Sequence, residues 1–519
     1  MCEIDENYGD ILEKSTIPCV SQMCMKCKSN SAALIIRAGD AFCRGCFKEY
    51  FVHKFRAMLG KNRLIFPGEK VLLAVSGGPA SSSMLAQVQQ GLSQDTPKKL
   101  RFVPGIVYID EGGATGQSME ERQMAIAQLK SIFQATGFPI HIVHLEQVFS
   151  LPGSVLEAAS PTPTGTDGSY KGAVDQYIRK GSTGGAGPSE EPTQPRGHPV
   201  LDVQQHLAQL STMEVPSSQH SQEMPSSQQS QALEMLFSSV RTLTAREDLL
   251  MTLRHHLIVH TARTQSYAKV MMGDSCSRLA VKLLGNIALG RGASLATDTG
   301  FSDPRHGDIM LVRPMRDYTS KEIAFYNRMF GVASVFIPSL DTKVSEKASI
   351  QHLTESFVTR LQTDFPSTVS TIYRTSEKLQ TACGPQDRDA GLTARCLLCM
   401  CPLDTTSDKS SAFHATLVSE KLSQKLPSEA APPKQGCLSS TGRQGKDCGA
   451  LTDGCCSSDR TGRVPELGSL LCYSCRLTIK DTAAVDSLPP YILTEATRRM
   501  QRSQMREEIA EFLLEEDDG

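Results

Sequence analysis

The fold is decided by Lys70-Val-Leu-Leu-Ala-Val75, which runs directly into Ser76-Gly-Gly-Pro-Ala-Ser-Ser82. The first part is an apolar run of strand length, and the second is a glycine-rich turn that leads into a helix. Glycines let a backbone approach an anion closely, and the N–H groups at a helix N-terminus can bind phosphate. No Gly-Lys-Ser/Thr follows, so the turn is not a Walker loop. A phosphate-binding loop and a plain turn into a helix both stay open on these residues alone.

Alternating strands and helices follow this stretch. Phe102–Ile109 and Pro139–Leu145 are strand-length apolar runs. Between them Ser118 opens a helix with Glu121 three residues on, a capping box, and Gly137 ends it. Strands that alternate with helices predict a parallel sheet with helices on both faces. The later sequence predicts helices over Leu236–Ala262, Ser277–Leu289 and Thr319–Met329, and strands over Ala268–Met272 and Ile309–Val312.

Two stretches of low complexity interrupt this pattern, at about 160–232 and 405–465. The first is rich in Pro, Gly, Ser, Thr and Gln, so it buries too little apolar surface to offset the entropy of ordering. We expect disordered insertions here; a docking segment for a partner is the alternative. We therefore predict a flexible leader over 1–22, a zinc ribbon and basic helix over 23–64, an α/β domain over 65–380, a second cysteine-pair zinc module over 390–480, and a C-terminal amphipathic helix with an acidic tail over 481–519.

Composition excludes several classes of protein. The 519 residues carry a formal charge of -2, so any nucleic-acid binding must come from local basic patches. The acidic N-terminus lacks the apolar core of a secretory signal, and no apolar run approaches the ~20 residues of a membrane span. We expect a cytoplasmic protein that does not bind membranes. In that compartment the 17 cysteines are first metal ligands or catalytic thiols, and only then disulfides.

Four cysteines near the N-terminus have the spacing of a zinc ribbon. Each Cys-x2-Cys knuckle offers two thiolates, and two knuckles complete a tetrahedral shell. A closed shell of four thiolates holds a structural zinc ion and leaves no position for catalysis. The predicted ligands are Cys24, Cys27, Cys43 and Cys46.

A second pair of knuckles lies in the C-terminal part of the chain. Its two halves are separated by a mostly low-complexity segment, which costs little because loop-closure entropy grows only with the logarithm of length. Cys401, Cys455 and Cys456 are possible substitute ligands. The predicted ligands of this second structural zinc site are Cys396, Cys399, Cys472 and Cys475.

The glycine-rich turn resembles the pyrophosphate-binding PP-loop of the ATP-dependent tRNA thiolases, whose pattern is Ser-Gly-Gly-x-Asp-Ser. Arg313-Pro-Met315 and Lys321-Glu-Ile323 are similar to that family's Arg-Pro-Leu and Lys-Glu-Ile segments. Zinc ribbons flank the α/β domain in the family, as the cysteine pairs do here. The resemblance implies a Rossmann-like PP-loop sheet and, for the family, adenylation of a tRNA base before sulfur enters. It implies nucleotide binding at Ser76, Gly77, Gly78 and Ser81.

The catalytic positions of that family are absent from this sequence. Its acidic loop residue is Ala80 here, and Pro79 removes an N–H donor from the loop. Its Gly-His-Asn-x-Asp-Asp segment corresponds to Gly273–Arg278, without the two final carboxylates. Its two sets of catalytic cysteines would fall in 249–253 and 334–340, which contain none. Adenylation needs the charge on pyrophosphate to be stabilised, and sulfur relay needs a thiolate, so these losses predict a chain without catalytic residues of its own.

The sequence keeps the motifs of the fold but lacks the catalytic residues, and in this it resembles the cytoplasmic tRNA 2-thiolation protein 2 family. The resemblance implies a heterodimer with the catalytic tRNA adenylyltransferase subunit, with ATP bound through that partner. It also implies 2-thiolation of wobble uridine 34 in lysine, glutamate and glutamine tRNAs, with sulfur from a thiocarboxylated ubiquitin-related modifier, and hence a link to protein urmylation.

Two other functions stay open. The chain is an active PP-loop enzyme if displaced residues such as Asp110, Asp274 and Cys276 perform the chemistry, although a lone cysteine is more often a packed residue. Alternatively it is a zinc-ribbon adaptor unrelated to RNA.

Two basic stretches suit contacts to tRNA phosphates, although an ordinary solvated helix face explains either one alone. Near them, four aromatic residues at helical spacing are predicted to be core residues and not base-stacking ones. The aromatic residues are Phe47, Tyr50, Phe51 and Phe55; the basic residues are Lys48, His53, Lys54, Arg56, Lys61 and Arg63, followed near the C-terminus by Arg498, Arg499, Arg502 and Arg506.

Overall fold

The computed structural model describes residues 22–36, 39–93, 99–157, 170–182, 224–340, 342, 344–345, 347–378, 395–403 and 464–509. Residues 1–21 of the predicted leader, nearly all of the second insertion with Cys455 and Cys456, and the acidic tail lie outside these residues. None of the described helices is long and apolar enough to cross a membrane.

A six-stranded sheet forms the centre of the molecule, in the order β5-β4-β3-β6-β8-β7. All neighbouring strands are parallel except the edge pair β7 and β8, which is antiparallel. The predicted α/β class with a parallel sheet is therefore confirmed. The strands are β3 (Lys70–Ala74), β4 (Val103–Asp110), β5 (Ile140–His144), β6 (Lys269–Met272), β7 (Ser302–Asp303) and β8 (Met310–Val312); a separate hairpin pairs β1 (Leu34–Ile35) with β2 (Ala41–Phe42).

Helices surround the sheet and continue into the C-terminal region. Those of the first half are α1 (Arg44–Asn62), α2 (Pro79–Leu92), α3 (Met119–Gln134), α4 (Tyr170–Ser182), α5 (Ser227–Ser239) and α6 (Leu243–Thr264). Those of the second half are α7 (Cys276–Ala288), α8 (Leu295–Thr299), α9 (Ser320–Phe330), α10 (Ile350–Asp364), α11 (Pro366–Thr375), α12 (Val464–Ser469), α13 (Tyr473–Lys480) and α14 (Pro490–Ile509).

Both faces of the sheet are covered, because alternate residues of β3 enter two different cores. Val71 and Leu73 pack in a core with residues of α1, α2, α3 and α9. Leu72 packs in the other core, with α5, α6 and the region that contains Cys396 and α13. The two cysteine-rich regions therefore lie on opposite faces of one sheet.

The aromatic residues of α1 form part of the first core. Phe47, Phe51 and Phe55 are at most 1 % exposed. The ring of Phe51 stacks on Tyr326 of α9 with centroids 4.0 Å apart and lies 4.5 Å from Tyr318. The prediction that these phenylalanines are core residues is confirmed.

The helix predicted over Leu236–Ala262 is two helices, so that prediction was wrong in its extent. Val240 is extended between α5 and α6 and makes a β-bridge with Thr482. The hydroxyl of Thr242 then caps α6 by accepting from the amide of Ala245. Periodicity missed the break because both segments place their leucines on one continuous apolar core.

Helices also occur inside the range predicted as the first insertion. Helix α4 lies within 160–232, and α5 begins there because Ser226 and Gln229 form a capping box. Residues 158–169 and 183–223 lie outside the described part of the chain.

Candidate metal centres and the glycine-rich loop

The first cysteine cluster joins a turn to the start of a helix. Cys24 and Cys27 belong to a turn in which the amide of Lys28 donates to the carbonyl of Cys24. Cys43 is the N-cap of α1, and Cys46 follows in its first turn. The four sulfur atoms lie within 4.8 Å of one another, with 3.9 Å between Sγ of Cys27 and Sγ of Cys43. A zinc ion bound at 2.3 Å to four sulfurs in a tetrahedron needs a spacing of about 3.8 Å.

The second cluster repeats this geometry with residues far apart in sequence. Cys472 is the N-cap of α13, and its Sγ lies 3.6 Å from Sγ of Cys399. Its four sulfurs, from Cys396, Cys399, Cys472 and Cys475, also lie within 4.8 Å of one another.

The two clusters are built alike in their backbones. The residue after the second cysteine of each turn is left-handed, with φ 55° at Lys28 and 60° at Met400. Both helix-capping cysteines are extended, with ψ 164° at Cys43 and 165° at Cys472. Each set can hold one metal ion in a closed shell of thiolates. Such a donor set suits zinc and leaves no coordination position open for substrate.

Cys401 lies beside the second cluster but is not one of its four grouped cysteines. It is buried, and its Sγ lies 3.2 Å from Nη1 of Arg305.

The glycine-rich loop has the backbone shape of an anion-binding loop. Gly77 has φ 81°, and Gly78 is the N-cap of α2 with Pro79 in the first turn. Yet the loop side chains bond to the loop itself. Ser81 Oγ donates to the carbonyl of Gly78 at 3.0 Å and lies 3.2 Å from Oγ of Ser76. The structure thus brings the predicted Ser76, Gly77, Gly78 and Ser81 together in one loop, in which Ser81 hydrogen-bonds to Ser76 and Gly78.

Other parts of the chain contact this loop at Gly77, while Ser76 and Pro79 remain exposed. The amide of Val335 donates to the carbonyl of Gly77 at 2.9 Å. A Cβ placed on Gly77 would lie 2.6 Å from a methyl carbon of Leu129 and 3.5 Å from one of Ile337. Behind the loop, a Cβ on Gly273 would lie 2.8 Å from the Cα of Ser81. The space beside Gly77 is therefore partly filled by the chain's own apolar side chains.

Arginines pair with the carboxylates at the carboxyl ends of the strands. Asp110 accepts from Arg122 at 2.8 Å and lies 2.8 Å from Nδ1 of His144. Burial alone would raise the pKa of Asp110, but the hydrogen bonds from His144 and Arg122 outweigh it and lower the pKa. Glu111 pairs with Arg254. These carboxylates balance protein cations, so they are not arranged as a free pair for a divalent ion.

Asp274 is also paired with an arginine, whereas Cys276 is packed among apolar residues. Asp274 lies 3.3 Å from Nε of Arg313, which is itself fully buried. Burial acts to raise the pKa of Asp274, while Lys282 and Arg313 lower it further than burial raises it. Cys276 is 0 % exposed and packs in an apolar cluster with Leu279 and neighbouring residues of α7, α10 and α11. The prediction that Cys276 is a packed residue is confirmed.

The family profile and the sequence relatives indicate one family. The family profile described as cytoplasmic tRNA 2-thiolation protein 2 matches residues 349–477. The cytoplasmic tRNA 2-thiolation protein 2 of Danio rerio is 58 % identical over 528 residues, which covers 100 % of both chains. The chain belongs to the cytoplasmic tRNA 2-thiolation protein 2 family. The family protein of Homo sapiens is 52 % identical over 533 residues, covering 100 % of this chain and 99 % of that one.

Among solved structures, the U34-tRNA thiolase NcsA from Methanococcus maripaludis is similar with a TM-score of 0.44 and 13 % sequence identity. The match covers 73 % of this chain and 90 % of that one.

In this member of the family, the Lys-Glu-Ile segment has a structural role that the sequence did not reveal. Glu322 is 0 % exposed, caps α9 with Thr319, and accepts from Tyr50 and Lys54 of α1. The helix after the first cysteine cluster is thereby bound to the α/β domain. Lys54 has no acidic residue three or four positions away on its helix, and the sequence gives no signal for such a distant pair.

Both predicted basic stretches contain residues that pair within the chain. Lys54 binds Glu322, while Arg498 and Arg499 both bind Glu495 on α14. Arg44, which precedes the first stretch, donates to the backbone of Met329 and remains exposed. For these paired residues, a solvated helix face that makes ion pairs within the chain explains the basic stretch without contacts to tRNA phosphates.

Proposed function

We propose that the chain is a non-catalytic subunit of the cytoplasmic tRNA thiolase, required for 2-thiolation of wobble uridine 34 in lysine, glutamate and glutamine tRNAs. Membership of the family and the names of its relatives support cytoplasmic tRNA thiolation. The glycine-rich loop, which is bonded at Gly77 to Val335 and filled beside Gly77 by Leu129, carries the non-catalytic part of the proposal. Because the hydroxyl of Ser81 donates within the loop and Pro79 has no N–H, the loop has fewer hydrogen-bond donors to offer to pyrophosphate.

The partner in this proposal is a catalytic tRNA adenylyltransferase subunit that binds ATP and tRNA in a heterodimer. Sulfur comes from a thiocarboxylated ubiquitin-related modifier. The chain supplies a rigid α/β scaffold with a structural zinc ion on each side, held by Cys24, Cys27, Cys43 and Cys46, and by Cys396, Cys399, Cys472 and Cys475. We propose that the chain is organised as a leader, a zinc ribbon, an α/β domain over 65–380, a zinc module over 390–480 and a C-terminal segment.

An active enzyme would have to use Asp110 and Asp274 in place of the family's carboxylates, and the ion pairs of these two residues weigh against it. Asp110 and Asp274 bind arginines, and the thiol of Cys276 is packed in a core. A thiol in that position is not exposed to a nucleotide or a tRNA base, and nucleophilic catalysis requires contact with the reacting atom. Ser76, Gly77, Gly78 and Ser81 are then the remnant of a nucleotide loop.

Pyrophosphate release tests the proposal. Purified chain, purified catalytic partner and the reconstituted complex are each incubated with ATP and substrate tRNA. We expect no tRNA-dependent pyrophosphate from the chain alone and the highest rate from the complex. Robust release from the chain alone would show an active enzyme, and a partner rate unchanged by the chain would favour the adaptor function.

A further inference from the structure

A cavity lies away from the glycine-rich loop, between α6, α7, the segment around α8 and the second cysteine cluster. It has a volume of about 50 Å³ and opens partly to solvent. One water needs roughly 10–15 Å³ measured in this way, so the space holds several heavy atoms. Its charged lining includes Lys282, Arg291, Asp298, Arg305 and His306. No residue of 76–82 contributes to its lining.

The acidic residues of the cavity already have their hydrogen bonds within the protein. Asp298 accepts at Oδ2 from Asn286 and Ser294, each at 2.9 Å, and pairs at Oδ1 with Arg305. Asp303 accepts from Arg305 at 2.9 Å. These carboxylates are therefore not free to bind a cation, which would have to displace Arg305 or the hydroxyl and amide donors.

Several donors of the cavity lack such partners. Within the described part of the chain, Lys282 makes no hydrogen bond and no ion pair. His306 is 3 % exposed and its Nδ1 has no partner; Arg291 is 8 % exposed and its Nε has none. Lys282 is half-buried. A buried polar group without a partner is costly, so the nitrogens of His306 and Arg291 are each expected to meet a ligand or ordered water.

The lining of the cavity also includes Cys399 and Cys401, and two arginines beside them supply positive charge. Arg291 bonds to Asp248 and to Sγ of Cys475, and Arg305 bonds to Asp298, Asp303 and Sγ of Cys401. These guanidinium groups offset the negative charge of the cysteine cluster beside the cavity. Burial lowers the pKa of Lys282, and an anion next to its ammonium group would act in the opposite direction.

We propose that this cavity binds a single small oxyanion of the phosphate or sulfate type, held by Lys282 together with the unpartnered nitrogens of His306 and Arg291. The site is separate from the glycine-rich loop and independent of the proposed function. Its ligand is either a free inorganic anion or the phosphoryl group of a nucleotide, since both offer the same oxygens.

Calorimetric titration of the full chain with inorganic phosphate, and separately with sulfate, tests the site. We expect saturable binding of one anion per chain. Lys282→Met should weaken it at least tenfold, because a charge-assisted hydrogen bond is lost. Lys282→Arg, which keeps the cation, should bind within a few-fold of the unaltered chain. Lys347→Met removes one exposed lysine as a matched charge control, and Ser81→Ala tests the glycine-rich loop; neither should alter the affinity.

Two measurements on the unaltered protein test the source of the oxyanion and the location of its binding site. Competition of AMP with phosphate would identify a nucleotide phosphoryl group, and lack of competition a free anion. In crystals grown with selenate, an anomalous peak is expected within hydrogen-bond distance of Lys282 Nζ. A peak at Ser76–Ser82 instead, no saturable binding, or equal affinity in Lys282→Met would each overturn the proposal.

Discussion

The amide of Val335 donates a 2.9 Å hydrogen bond to the carbonyl of Gly77, across more than 250 residues of sequence. The segment after α9 is thereby fixed over the loop that follows β3, and Ile337 of this segment approaches Gly77. The loop keeps the backbone shape of a nucleotide-binding loop, but its serine hydroxyl and carbonyl groups make hydrogen bonds within the chain.

Substitution of Gly77 should show how closely the loop is covered. Gly77→Ala places a side chain at φ 81° and 2.6 Å from Leu129, so we expect a loss of about 2–4 kcal/mol in unfolding free energy. Gly116→Ala is the matched control, since Gly116 has φ 70° with open space around it, and it should cost only about 1 kcal/mol. Urea titrations measure both. Equal losses would mean that the loop is open.

Metal content should follow the two cysteine clusters. We expect two zinc ions per chain by elemental analysis, and one after Cys24→Ser or Cys396→Ser, because an incomplete thiolate shell binds zinc far more weakly. Cys276→Ser and Cys401→Ser are the controls and should keep two ions. Loss of metal in Cys401→Ser would instead assign that residue as a ligand.

Acid should weaken the ion-pair cluster of Asp110. Its folded pKa is depressed, so its stabilisation is present above the unfolded pKa of about 3.9 and is lost as pH falls through the folded pKa. Asp110→Asn should cost about 3 kcal/mol at pH 7, since Arg122 then lacks one partner. The difference from the unaltered chain should narrow below about pH 4. Denaturant unfolding at several pH values measures it, with Asp364→Asn on the exposed end of α10 as control. A constant difference across pH would contradict this role.

Phe51 should matter for stability and not for RNA stacking. Phe51→Ala removes a 0 % exposed ring from between Tyr318 and Tyr326 and should cost about 3–5 kcal/mol. Phe336→Ala, at a residue 80 % exposed, should change unfolding by less than about 0.5 kcal/mol. If Phe51→Ala left stability unchanged but weakened tRNA binding by the complex, Phe51 would be a stacking residue.

Local patterns were enough to predict the sheet and the cysteine groupings. The apolar run Val71–Leu73 and the capping box at Ser118 each depend on only a few neighbouring residues. The structure has a strand at the first and a helix at the second. The Cys-x2-Cys spacing likewise predicted which cysteines lie together.

Long-range packing could not be read in this way. Nothing near Glu322 in the sequence indicates Lys54, and nothing near Gly77 indicates Val335. The equivalence of the two clusters rests on backbone angles at Lys28 and Met400, two unlike residues that no propensity assigns to a left-handed conformation. The break at Val240 depends on a bridge to Thr482, which lies in a distant part of the chain.

The central claim, a required subunit without catalytic residues, is tested most directly by tRNA thiolation in cells that lack this chain. Mercury-gel electrophoresis of lysine, glutamate and glutamine tRNAs measures it, with re-expression of either the unaltered chain or the Asp274→Asn, Cys276→Ser double variant at equal protein level. The account predicts no thiolated tRNA without the chain and restored thiolation with either form. Normal thiolation in its absence, or failure of the folded double variant to restore it, would contradict the account.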